Sequence, residues 1–171
     1  MFLRPMIQPR PVTLGQLPDG PAGTVETLRH MRALVREFRK NPIIRAQALN
    51  LIVDLPPKAY RAEVTRIADF VRDQIRYTRD VRDVETLHWP TVTLDQGLGD
   101  CDDKVTLLAS LLESVGHPTR FVAIGLGGGP LSHVYLETRI GPRWVGIDPT
   151  ENWPSGITRF ENVTSRYQMD I

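Results

Sequence analysis

Gly99-Asp100-Cys101-Asp102-Asp103-Lys104-Val105-Thr106-Leu107-Leu108-Ala109-Ser110-Leu111-Leu112-Glu113-Ser114-Val115-Gly116-His117-Pro118 holds the strongest helical pattern in the chain and its only cysteine. Val105, Leu108, Leu111, Leu112 and Val115 recur at intervals of three and four, which gives one apolar face, and Gly116 and Pro118 stop the helix. The helix is predicted over Cys101–Val115, with Cys101 in its first turn directly after a glycine-containing loop. Backbone N–H groups at a helix start have no partner within the helix and favour an anion. A thiolate, the nucleophilic form of cysteine, is therefore easier to make there than in solution, where a thiol of pKa ~8.5 is only a few per cent ionised at neutral pH. Asp100, Asp102 and Asp103 act in the opposite sense through like charge. A cationic partner is required.

The sequence after the helix offers one. Phe121–Gly125, Ser132–Arg139 and Arg143–Asp148 read as three strands, the last two forming a hairpin across Ile140-Gly141-Pro142. The glycine-rich run Gly125-Leu126-Gly127-Gly128-Gly129-Pro130 connects the first two. His133 opens the second strand. With the turn centred near residue 141, His133 lies about eight residues before it and Asp148 about seven after, nearly opposite one another. That is the placement in which a carboxylate orients an imidazole. The roles follow: Cys101 attacks an acyl carbon, His133 pairs with the thiolate and shuttles protons, and Asp148 fixes the ring. Acyl transfer also needs donors for the oxyanion, for which the Cys101 backbone N–H is the first choice and Gln96 or the Trp89 indole the second. The other histidines compete poorly: His30 lies in an arginine-rich helix, His88 beside Trp89 in a loop, and His117 in a helix stop. Asp100, Asp102 and Asp103 lack the glycine and the distal glutamate of a calcium loop, so no metal and no cofactor is expected.

Upstream, Val25, Leu28, Met31, Leu34, Val35 and Phe38 mark an amphipathic helix starting at Thr24, a candidate N-cap. Asn41-Pro42 ends it, Ile43–Val53 forms a second helix closed by Pro56-Pro57, and Ala59–Arg76 a third. Tyr77–Leu98, which includes Trp89-Pro90, reads as a loop with short extended pieces. Residues 1–23 hold five prolines and three glycines and read as an extended arm ahead of a single domain, 24–171. Helices first and strands last give an α+β order: N-terminal helices and a nucleophile-bearing helix on a small antiparallel sheet.

Composition limits the alternatives. The chain has 171 residues, 41% hydrophobic and 24% charged, which suits one domain with a core of its own. Lys and Arg number 21 against 20 Asp and Glu, a net charge of +1, and acids interleave the arginine-rich helix faces. Nucleic-acid binding is disfavoured on that ground. No run of 18 apolar residues is present, and Met1–Met6 lacks the apolar stretch of a secretory signal. The expectation is a protein made in the cytosol that neither spans nor coats a membrane. A single cysteine excludes an internal disulfide framework and a multi-cysteine zinc site.

The three blocks Gly99–Pro118, Ser132-His133-Val134-Tyr135-Leu136-Glu137-Thr138 and Trp144-Val145-Gly146-Ile147-Asp148-Pro149-Thr150, in that order, resemble the transglutaminase-like superfamily, which shares the papain-like cysteine-hydrolase architecture. The resemblance covers roughly Ala59–Thr150. It implies a Cys101–His133–Asp148 triad and action on an amide of a protein or peptide substrate, most simply as a protease or amidase. The N-terminal part, from Leu17 through Val53, is similar to short members of the superfamily encoded among phage and prophage structural genes. That similarity implies the rival class, a non-catalytic assembly or virion component docking to phage structural proteins through its proline-rich arm.

Overall fold

The computed structural model describes residues 12–13, 20–78, 86–156 and 158–171. Most of the predicted arm lies outside the described residues. Of it, β1 (Val12–Thr13) pairs antiparallel with β3 (Thr86–Leu87). α1 (Pro21–Phe38) begins three residues earlier than the Thr24 start expected from the sequence. Pro21 occupies the first helical position, where the missing N–H is not needed, and Gly20 supplies the left-handed turn (φ 73°) leading into it. Thr24 is not the cap; its hydroxyl donates to the Leu131 carbonyl at 3.2 Å and ties α1 to the sheet. α2 (Pro42–Ile52) is capped by the Asn41 side chain, which accepts from the Ile43 N–H at 2.9 Å. α3 (Tyr60–Gln74) leads into β2 (Arg76–Tyr77), which pairs parallel with β4 (Leu98–Gly99).

Between the pairs of short strands, α4 (Pro90–Gln96) replaces the loop predicted over Tyr77–Leu98. Pro90 is again a first helical residue, and Gly97 closes the helix in the left-handed conformation (φ 65°). Two turns of helix are too short to show a 3.6-residue period.

α5 (Cys101–Ser114) follows as predicted, but it is enclosed on every side rather than along one stripe. Val105, Leu107, Leu108, Ala109, Leu111 and Leu112 are all fully buried, with α1, α2, α3 and α4 around them and the sheet behind. Its interior polar groups are satisfied locally. The Ser110 hydroxyl donates to Thr106 O and the Ser114 hydroxyl to Leu111 O. Lys104, only 3% exposed, sends Nζ to the carbonyls of Ile75 (2.7 Å) and Arg72 (3.2 Å) and so caps the end of α3. Burial lowers the pKa of this lysine, while Asp148 and Asp73 work to raise it.

β5 (Thr119–Leu126), β6 (Leu131–Ile140), β7 (Arg143–Ile147) and β8 (Val163–Asp170) form one antiparallel sheet in the order β7-β6-β5-β8. Three of these strands were predicted; β8 was not. Seven of its eight residues, all but Met169, are exposed, so this edge strand carries no clear apolar alternation. Phe121, Ala123, Val134, Leu136, Ile147 and Met169 join the main core, whereas Val122, Ile124 and Tyr135 build a second small cluster under Phe160. Among the described residues, no helix is long and apolar enough to cross a membrane.

Candidate active site

Cys101 is the first residue of α5, and a reciprocal capping box fixes that helix start. Asp100 accepts from the Asp103 N–H at 3.0 Å, and Asp103 accepts from the Asp100 N–H at 3.4 Å. Gly99 brings the preceding chain close against this box. A Cβ added there would lie 2.7 Å from Asp103 Cβ and 3.2 Å from Thr93 Cγ2. Gly99→Ala is therefore expected to destabilise the protein by about 1–3 kcal/mol, through displacement of the helix start. Chemical denaturation measures it, and a midpoint equal to wild type would contradict the close packing.

The Cys101 side chain is half-buried against the main core. Its thiol donates to Asp102 Oδ1 at 3.5 Å. Burial pushes the thiol pKa well up, and the charges of Asp102 and Asp100 push it further. The sequence reading anticipated easier ionisation from the helix dipole. In this arrangement desolvation and the acids oppose ionisation of the sulfur.

His133 and Asp148 are brought together: His133 Nε2 and Asp148 Oδ2 lie 2.6 Å apart, with the Asp148 side chain fully buried and that of His133 21% exposed. Asp148 is itself held by Thr150, whose N–H (2.9 Å) and hydroxyl (2.7 Å) both donate to Oδ1. The register differs from the predicted one. Leu136 faces Ile147 and Ile140 faces Arg143, so the turn is Gly141-Pro142, and Asp148 follows the last paired residue of β7. Continued by one step, that ladder sets Asp148 opposite Tyr135. His133 is then its diagonal neighbour on the same face, a separation that long side chains bridge. The His133 ring also tilts against Phe160 (centroids 5.3 Å), which in turn meets Tyr135 and Trp153, each at 5.1 Å.

No hydrogen bond joins Cys101 to His133; the thiol turns to Asp102 instead. Because Nε2 is occupied by Asp148, Nδ1 is the ring nitrogen available to a nucleophile. Of the suggested oxyanion donors, Trp89 packs on Phe38 of α1 (centroids 5.8 Å), and Gln96 is exposed at the end of α4.

A second histidine–aspartate pair was missed. His88 Nδ1 lies 2.6 Å from Asp103 Oδ2, and the His88 N–H donates to Asp103 Oδ1 at 2.8 Å. Asp103 is 1% exposed, so one buried carboxylate serves both the helix cap and His88. Alternation was the available signal: Leu87 and Trp89 face the core, which turns His88 the other way, toward α5. His117 also pairs with a carboxylate, Glu63 Oε2 at 2.8 Å, and His30 lies 3.6 Å from Glu26 on the surface of α1.

The family model described as transglutaminase-like superfamily matches residues 47–149, more than half of the chain, and takes in the three motif blocks up to Pro149. Among solved structures, a candidate protease from Parabacteroides distasonis is similar with a TM-score of 0.56 at 14% identity, over 75% of this chain and 26% of that one. A candidate cysteine protease from Cytophaga hutchinsonii gives a TM-score of 0.52 at 18% identity, over 75% of this chain and 50% of its own length. The chain thus spans about a quarter of the first protein and half of the second. At these identities the likeness is one of fold. No curated protein matches the sequence.

Proposed function

Since the chain belongs to the transglutaminase-like superfamily, we propose that it is a thiol-dependent acyl-transfer enzyme acting on an amide of a protein or peptide, with Cys101, His133 and Asp148 as its triad. The observation that carries this reading is the His133 Nε2–Asp148 bond of 2.6 Å, which fixes the imidazole with Nδ1 uncommitted. In the proposed reaction the thiol leaves Asp102 and passes its proton to His133 Nδ1 as sulfur attacks the carbonyl carbon. The tetrahedral oxyanion collapses with cleavage of the C–N bond, and the leaving amine takes the proton from His133. A thioester remains. Water then gives a proton to His133 and attacks the thioester; the second tetrahedral intermediate collapses with cleavage of the C–S bond, the acid is released, and sulfur takes the proton back from His133. Hydrolysis is preferred to transfer onto an amine because nothing at the site marks an amine-acceptor subsite. Asp148 keeps the ring oriented throughout and stabilises the imidazolium.

The half-buried thiol, hydrogen-bonded to an acid, favours a second reading: a fold retained for assembly, such as a virion component, with an inert sulfur. The pH dependence of iodoacetamide alkylation separates the two. A working thiol–imidazole pair makes the folded protein react faster than a free thiol near neutral pH and level off there, with the label on the Cys101 peptide by mass spectrometry. An inert thiol reacts only as pH rises above about 9, because burial and the neighbouring aspartates oppose its ionisation. That outcome would sink the enzymatic reading.

A further inference from the structure

Phe160 takes no part in the bond changes of the proposed reaction, yet its ring packs on the base. We propose that Phe160 is a positioning residue of the triad, setting the plane of the His133 imidazole and with it the direction of Nδ1. The inference rests on the acyl-transfer reading above and adds to it how the base is aimed.

Asp148 pins His133 at one point, Nε2 to Oδ2 at 2.6 Å. The torsion that turns an imidazole is broad, with no sharp preference of its own. The ring can therefore rotate about the line from Cβ to Nε2 while the bond to Asp148 persists. That rotation sweeps Nδ1, the nitrogen that has to receive the thiol proton. Packing must choose the angle. The aromatic ring that packs on the imidazole is Phe160, with centroids 5.3 Å apart and planes inclined by 57°.

Phe160 is itself held in place. Val122, Ile124 and Tyr135 form the small apolar cluster on which it packs. In the β5–β6 ladder Ile124 pairs with His133 and Val122 with Tyr135, so these four side chains share one face of the sheet. Phe160 meets the Tyr135 ring at 5.1 Å, and Trp153 meets Phe160 edge-on at 5.1 Å and 73°. Both Trp153 and Phe160 lie on the connection from β7 to β8, which is drawn against β7 at Gly146. The Gly156 N–H donates to the Gly146 carbonyl at 3.0 Å, and a Cβ added at Gly146 would lie 2.7 Å from Thr158 Cγ2. Asp148 and Thr150 begin the same connection. One stretch of chain thus supplies the carboxylate that pins the imidazole, the threonine that steadies this carboxylate and the ring that orients the imidazole.

The test reads Cys101 reactivity near neutral pH, toward iodoacetamide and toward p-nitrophenyl acetate, in a double-mutant cycle over positions 160 and 133. Phe160→Leu keeps an apolar side chain on Val122, Ile124 and Tyr135 but removes the flat ring. Both rates are expected to fall about 10–100-fold, the scale of a reacting group displaced by about an ångström. Phe160→Tyr, which keeps the ring, is expected to recover most of that loss. In a His133→Ala background, Phe160→Leu is expected to change the remaining alkylation rate by less than about twofold, since no imidazole is left to aim. Wild-type rates in the Leu variant overturn the proposal and leave the acyl-transfer reading intact. An equal loss in both backgrounds also overturns it, because Phe160 then acts through the fold. If Phe160→Leu gives no cooperative thermal melt, Phe160→Met, unbranched and adaptable, takes its place in the cycle. A Met variant that is unfolded as well makes Phe160 a packing residue alone and overturns the positioning role. A wild-type thiol no more reactive than free cysteine, and indifferent to His133→Ala, removes the acyl-transfer reading and this role with it.

Discussion

Cys101→Ala is expected to abolish acyl transfer and all labelling by thiol electrophiles, with folding stability within about 1 kcal/mol of wild type. The loss is complete because Cys101 is the only cysteine in the chain, so no other thiol can substitute. Stability survives because the helix start does not depend on the sulfur. The capping box is made by Asp100 and Asp103, and the chain before it is held by Gly99 packing and by His88. The side chain is only half-buried, and its hydrogen bond to Asp102 is a long one at 3.5 Å. Release of p-nitrophenol, mass spectrometry after iodoacetamide treatment and a thermal melt check the three parts. Turnover persisting in the Ala variant would place the chemistry elsewhere. A melt that collapses would make the thiol a packing element.

Asp148→Asn is expected to slow acylation by a factor on the order of 10³–10⁴ while the fold holds. The reason is specific to Thr150. Its N–H and hydroxyl both donate to Oδ1, so an amide at position 148 must keep its oxygen toward Thr150 and turn its NH₂ toward His133. That NH₂ donates to Nε2 and drives the ring proton onto Nδ1, the nitrogen that must receive the thiol proton. The imidazole then sits in place with the wrong tautomer. Stability is expected to change by about 1 kcal/mol, since the hydrogen bonds are retained in altered polarity. Single-turnover acylation and a denaturation curve give the two readouts. A rate within tenfold of wild type would show that Asp148 does not set the tautomer.

Much of the fold was legible because its signals are local. Asn41-Pro42, Pro56-Pro57 and the Gly116–Pro118 stop bound helices whose observed ends lie within a residue or two of those read from spacing. The hairpin β6–β7 and its His–Asp partnership were also visible, although the register was offset. A two-residue turn and a three-residue turn leave nearly the same sequence trace, yet the first sets Asp148 opposite Tyr135, on the face of His133, and the second would set it opposite Val134, on the other face. α4 escaped because Pro90 at a helix start looks like a breaker. β8 escaped because an exposed edge strand needs no apolar face.

The sequence by itself determined the α+β order, the position of the lone thiol in the first turn of the central helix, and the family to which those motifs belong. Only the tertiary structure decided the electrostatics around that thiol. Its acidic neighbours Asp100 and Asp102 are adjacent in the chain, but the burial that opposes its charge, like the partners of the other buried polar groups here, comes from segments far apart. His88 reaches Asp103 across 15 residues, His133 reaches Asp148 across 15, and Lys104 crosses 29 to the Ile75 carbonyl. Helical and strand periods reflect contacts within a few residues, so they could place the cysteine at its helix start but not balance the charges folded in around it.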